Sequence, residues 1–258
     1  MITSRQNQNI KRIKQLTSQA KFRKKEHAYV VEGIRLLEEA LQANQIPEQV
    51  LYTPDLDLRG QALVQIFQDQ QVTCELAALD VLNAASDTEN SQGIMAVFPI
   101  EPLPLPDQKD LVLIANEIRD PGNLGTLMRS GLAAGVDLIL LSPGTVDLYS
   151  PKVIRAGMGA HFRLPALAAS WEKISKITAG LVLYLADMNQ GQSCWETDLS
   201  GPVGIILGGE AHGPGKDARE LANHSIHIPM NTHSESLNAA AAGAVLLFEI
   251  RRQRYLRD

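Results

Sequence analysis

A chain of 258 residues can form one large domain or two of ordinary size, and 45% hydrophobic with 21% charged residues excludes a disordered or fibrous polymer. Its two cysteines, Cys74 and Cys194, stand far apart in no CxxC or Cys/His pattern, which argues against a disulfide framework or a zinc site and fits a reducing cytosol. No segment approaches the roughly 18 uncharged apolar residues of a membrane span, so neither a membrane partner nor a membrane location is expected.

The opening MITSRQNQNIKRIK is basic with no apolar run behind it, and no export leader is expected there. The net charge of −5 conceals an asymmetry, because residues 1–35 carry nine basic side chains against two acidic ones, a surplus of +7. Such a patch, with Arg23, Lys24, Lys25 and Arg35 among its members, either seeks phosphates or forms a solvated helix face; charge alone leaves both open. Ile10, Ile13 and Leu16 form a helical stripe, YVVEG is strand-like, and IRLLEEALQAN has helical period. QVLYT, VTCEL and GIMAVF are short β-rich runs with helical stretches between them, so residues 1–98 are read as a small α/β domain.

Pro99, Pro102, Pro104 and Pro106 forbid helix and interrupt a central strand, which makes 99–109 an extended linker. Beyond it, over 110–258, the continuous apolar runs LVLIA, DLILL, LVLYLA and VGIILG alternate with helical segments. Unbroken apolar strands between helices indicate a parallel sheet covered on both faces. Three patches of unusual composition follow such strands, where open α/β sheets bind ligands. The first, NEIRDPGNLGTLMRSG, turns at Asp120-Pro121-Gly122-Asn123 and enters a helix carrying Arg129. In GIILGGEAHGPG, five glycines surround Glu210 and let backbone approach a ligand closely. The third is IHIPMNTHSESLNAAAAGAVLLFEIRRQ, a short strand, a polar loop and a long helix that begins near Ser236 and Asn238.

A Walker A loop fails here, because Glu210 and Asp217 stand where Gly and Ser or Thr are needed. Gly213 to Ala218 fits a dinucleotide fingerprint only loosely, since four residues separate the strand from Gly213. His224 and His227, three apart on a strand, point to opposite faces, and no metal site is expected. Each polar residue also has a bland reading: Asn123, Ser236 and Asn238 as helix-start residues, Arg129 as a surface residue, Glu210 as a solvated loop residue.

Together and in this order, the three patches resemble the motifs of the SpoU-type RNA 2′-O-methyltransferases, the TrmH family of the SPOUT superfamily. Asn123 and Arg129 fall on the first motif, Gly208, Gly209, Glu210 and Gly213 on the second, and Ile228-Pro229-Met230 with Ser236-Leu237-Asn238 on the third. SPKVIRAGMGAHFRLP is similar to the family's central segment, and IKQLTSQAKFRKKEHAYVVEGIRLLEEAL to the substrate-binding domain that precedes many of its members. Where the family often has Val-Ser after the third motif, this chain has Ala239-Ala240, one hydroxyl fewer.

The resemblance implies a catalytic domain with a deep trefoil knot, a homodimer paired through it, and S-adenosylmethionine as cofactor. Leu207, Gly208, Gly209, Gly213, Ile228, Met230 and Leu237 would hold that cofactor. Arg129 would act on the ribose 2′-hydroxyl, with Asn123, Glu210, Ser236 and Asn238 fixing the guanidinium or the substrate. The small-residue run Ala239 to Gly243 suits a packed subunit interface or contact with the chain's own sheet. The resemblance also decides the basic patch in favour of RNA, with ribosomal RNA expected first and tRNA second. A non-catalytic RNA-binding protein and a dinucleotide-dependent oxidoreductase are the competing readings.

Overall fold

The structure, a computed structural model, describes residues 1–88, 91–188, 190–208, 213–231 and 236–256. Two compact units emerge: Met1–Glu101 with Tyr149–Phe162, and Pro102–Leu148 with Arg163–Asp258.

The first unit begins with α1 (Gln8–Ser18), capped by the Asn7 side chain, and α2 (Ala20–Glu26), followed by β1 (Ala28–Glu32), α3 (Ile34–Gln42), β2 (Gln49–Tyr52), α4 (Leu58–Asp69), β3 (Thr73–Leu76), α5 (Leu79–Asn83) and β4 (Ile94–Pro99). The strands make a sheet of order β1-β4-β2-β3, in which only β2 and β3 run parallel. Alternation along the strands divides the core. Ala28, Val30, Leu51, Met95 and Val97 meet Ile10, Ile13 and Leu16 of α1 on one face. Tyr29, Val31, Val50, Ile94, Ala96 and Phe98 meet α3 and α4 on the other. Pro99 is the last residue of β4, so the proline-rich segment starts inside the strand.

This layering corrects the expected RNA contact at Arg23. Its side chain is 4% exposed, and Nη1 donates to the carbonyls of Leu16 at 2.5 Å and Thr17 at 3.1 Å. The end of α1 leaves these carbonyls without helical donors, and a guanidinium folded back from α2 satisfies them. Arg12 pairs with Glu48 at 3.0 Å and Glu26 at 3.6 Å. Lys24 and Lys25 are exposed on α2, whereas Arg35 is exposed on α3, across the sheet from them. The +7 surplus therefore does not form one surface.

The second unit continues with β5 (Leu111–Asn116), α6 (Pro121–Ala134) and β6 (Leu138–Leu141). The next helix, α7 (Pro151–Gly157), belongs to the first unit, where Ile154 and Phe162 join the α3 and α4 side of the core. The chain returns as β7 (Ala166–Ala168), α8 (Trp171–Ile177), β8 (Val182–Ala186), β9 (Gln192–Ser193), β10 (Val203–Gly208), α9 (Gly215–Leu221), β11 (His224–His227) and α10 (Ala239–Tyr255). All seven strands are parallel, in the order β7-β6-β5-β10-β8-β11-β9. The four apolar runs of the sequence are β5, β6, β8 and β10. Two edge strands of three and two residues, β7 and β9, are too short to show any period.

Helix α10 packs on α6 and β10. A Cβ at Gly243 would lie 2.4 Å from Leu127 and 2.6 Å from Leu207, so only glycine permits the approach. The small-residue run thus serves the chain's own core at Ala240 and Gly243, while Ala241, Val245 and Phe248 face outward.

Candidate active site

Successive strands extend in opposite directions from β5 and β10, which makes their carboxyl ends the switch point at which such sheets bind ligands. A cavity of about 840 Å³ opens there, bounded by the ends of β8, β10 and β11 and by the starts of α6 and α10. Leu207, Gly208, Gly213, Ile228, Met230 and Leu237 line it. Asn123 lines it too, and so do Ser236 and Asn238, more than a hundred residues further along the sequence.

Local chemistry explains how these groups are held. Asp120 caps α6 by accepting the Asn123 N–H at 2.8 Å, with Pro121 as the first helical residue. Asn123 is therefore not the cap. Asn238 is one: its Oδ1 accepts the N–H groups of Ala240 at 2.9 Å and Ala241 at 3.3 Å. Its Nδ2 donates to Asn123 Oδ1 at 2.9 Å, so one side chain both starts α10 and ties it to α6. Ser236 is exposed at the cavity.

Gly208 faces Asn116 across the sheet, and a Cβ on it would come within 2.6 Å of the Asn116 amide nitrogen. The apolar walls, including Ile226 and Leu246, suit a flat heteroaromatic ring, and the amides at one end suit a polar group. Arg219 reaches Asp187 at 3.4 Å, and both residues line the cavity.

Not every expected residue converges here. Arg129 is exposed on α6 with no hydrogen bond or ion pair among the described residues, and it is not among the cavity's lining. Gly209 and Glu210 lie outside the described residues. Asn116, Asp187 and Arg219 were not singled out from the sequence. The signal for the first two was a polar residue closing an apolar strand, as in LVLIAN and LVLYLAD. No group of three or more His, Cys, Asp or Glu side chains able to hold a metal occurs among the described residues. Burial, and then the charge of Glu249, push the Cys194 thiol above its ordinary value, the wrong direction for a thiolate nucleophile. Among the described residues no helix is long and apolar enough to cross a membrane.

Residues 110–248 match the SpoU rRNA methylase family, and residues 7–96 match the MRM3-like substrate binding domain. An uncharacterised tRNA/rRNA methyltransferase of Synechocystis is 34% identical, covering 98% of this chain and 94% of that protein. The 23S rRNA (guanosine(2553)-2′-O)-methyltransferase RlmP of Bacillus subtilis is 29% identical, covering 97% and 98%. The AdoMet-bound rRNA methyltransferase of Sinorhizobium meliloti superposes with a TM-score of 0.86 at 28% identity, covering 97% of each chain. With residues 110–248 matched by the family and a relative 34% identical over 98% of the chain, the chain belongs to the SpoU rRNA methylase family.

Proposed function

We propose that the protein transfers the methyl group of S-adenosylmethionine to a ribose 2′-hydroxyl of ribosomal RNA. The observation that supports this best is the convergence of Gly208, Ile228 and Leu237 with Asn123 and Asn238 on one cavity, in a chain whose relatives include a 23S rRNA 2′-O-methyltransferase. Fit to the cofactor is supported by the backbone of Gly208 and Gly213 at the cavity and by the apolar walls around it. When bound, S-adenosylmethionine supplies an electrophilic methyl group on a sulfonium.

The chain's own groups would then orient and exclude. Asn123 and Asn238 present fixed amides toward the reacting end, and Ser236 adds a hydroxyl. Glu210, on the second motif, belongs to the same proposed set. Arg129 is assigned to the substrate: its guanidinium clamps the phosphate beside the attacking 2′-oxygen and orders that oxygen. A literal base is disfavoured, because arginine holds its proton to a pKa above about 12. We assign to the C-terminal half, 110–258, the deep trefoil knot that the family resemblance implies. RNA is gripped by Lys24 and Lys25, with Arg35 as a separate contact.

The decisive experiment incubates the protein with labelled S-adenosylmethionine and either undermethylated ribosomal RNA or tRNA, then maps the label. A 2′-O-methyl in ribosomal RNA is expected; label in tRNA alone would move the substrate, and label on a base would overturn the reaction.

The protein is further expected to be a homodimer. Val245 and Phe248, 40% and 48% exposed on α10, form an apolar surface. Arg129, absent from its own cavity's lining, would then serve the cavity of a second copy. Light scattering at micromolar concentration should give the dimer mass, and a monomer mass would refute it.

A further inference from the structure

Asn116 closes β5 with 2% of its surface exposed, and its amide is not spent within the sheet. Nδ2 donates to the carbonyl of Pro214 at 2.9 Å, in the segment that returns from β10 to α9. Oδ1 accepts the hydroxyl of Ser142, just beyond β6, at 3.1 Å. That hydroxyl oxygen in turn accepts the N–H of Glu117 at 3.1 Å. A chain of hydrogen bonds thus runs from the end of β6 through the end of β5 to Pro214.

Both ends of this chain carry unusual backbone. Glu117 has φ +50° directly after a strand, whereas His27, Asn44, Gln71 and Met158, which share the left-handed region, all sit at helix ends. A left-handed non-glycine residue away from a helix end persists only where its surroundings hold it, and Ser142 does so through the Glu117 N–H. On the other side, Gly213 and Gly215 have φ +72° and +65° and turn the Pro214 carbonyl toward Asn116. Gly213 and Pro214 line the cavity, but Asn116 does not.

We infer that Asn116, supported by Ser142, is a positioning residue that sets the Gly213-Pro214 wall of the cavity and thereby its affinity for the cofactor. This rests on the proposal that the cavity holds S-adenosylmethionine. A buried asparagine that merely satisfied its own strand end would bond to β5 or β6; this one gives its donor to a loop 98 residues away. Losing that donor leaves the Pro214 carbonyl buried without a partner and the wall free to move.

The test is calorimetric binding of S-adenosylmethionine to the full chain. Asn116→Asp keeps the size and the acceptor for Ser142 but sets a carboxylate against the Pro214 carbonyl. Its affinity should fall on the order of tenfold or more, no less than for Asn116→Ala, and Ser142→Ala should lose roughly two- to fivefold. Hydrogen exchange should quicken over 205–222 while 111–115 stays protected. With RNA, KM for S-adenosylmethionine should rise while KM for RNA holds.

Wild-type affinity in Asn116→Asp would overturn the inference. So would a loss that tracks general unfolding, with 111–115 exchanging equally fast. If neither Asn116 variant folds, Ser142→Ala decides, and unchanged affinity and exchange would overturn it. Failure of the wild-type protein to bind S-adenosylmethionine would instead refute the cofactor assignment.

Discussion

Arg129→Ala is expected to slow methyl transfer by a factor on the order of 10² or more while cofactor affinity changes little. The side chain is exposed, makes no hydrogen bond or ion pair among the described residues, and is absent from the cavity's lining. Its removal should therefore leave the fold and the pocket intact. Six residues separate it from Asn123, a rotation of roughly 240° about α6, so the two side chains leave the helix in different directions. If the guanidinium orders the 2′-hydroxyl and the neighbouring phosphate, binding and chemistry must separate. Arg129→Lys keeps the charge but loses the two-pronged donor, and should recover only part of the rate. Single-turnover transfer of labelled methyl, beside calorimetric cofactor binding, measures both. A near wild-type rate in Arg129→Ala would show an ordinary surface arginine and end the catalytic assignment.

Replacing Lys14, Lys21, Lys24 and Lys25 by Gln is expected to weaken RNA binding on the order of tenfold or more. It should also flatten its salt dependence by about 0.7 to 0.9 in log–log slope for each lysine that meets a phosphate. These four are exposed on α1 and α2. Arg23→Ala should behave differently: it strips donors from the Leu16 and Thr17 carbonyls, so it should lower stability and leave the slope alone. Deleting residues 1–98 would be a poor substitute, because Ile154 and Phe162, which stay behind, bury themselves against the deleted core. Filter binding across a salt series, with thermal unfolding of each variant, is the measurement. An unchanged slope in the lysine variant would refute the phosphate contact.

The pattern of the chain already carried its elements. LVLIA and VGIILG are apolar throughout because both faces of the parallel sheet are covered there, and the resemblance of the three polar patches pointed to residues that line the cavity. Ile10, Ile13 and Leu16 read as a helix because residues three apart share a face, and they are buried on one. Such signals need only neighbours in sequence.

What depended on chain closure was not legible. Nothing local says that α7 leaves the second unit for the first, or that β10 inserts between β5 and β8. Arg23 reads as one more cation in FRKK, and only the folding of α2 against α1 brings its guanidinium to two orphan carbonyls. Asn116 reads as the end of a strand, and Asn238 as the start of a helix, until the fold sets them beside Pro214 and Asn123, 98 and 115 residues away. A buried amide must find partners wherever the packed chain supplies them, and that choice belongs to the tertiary structure.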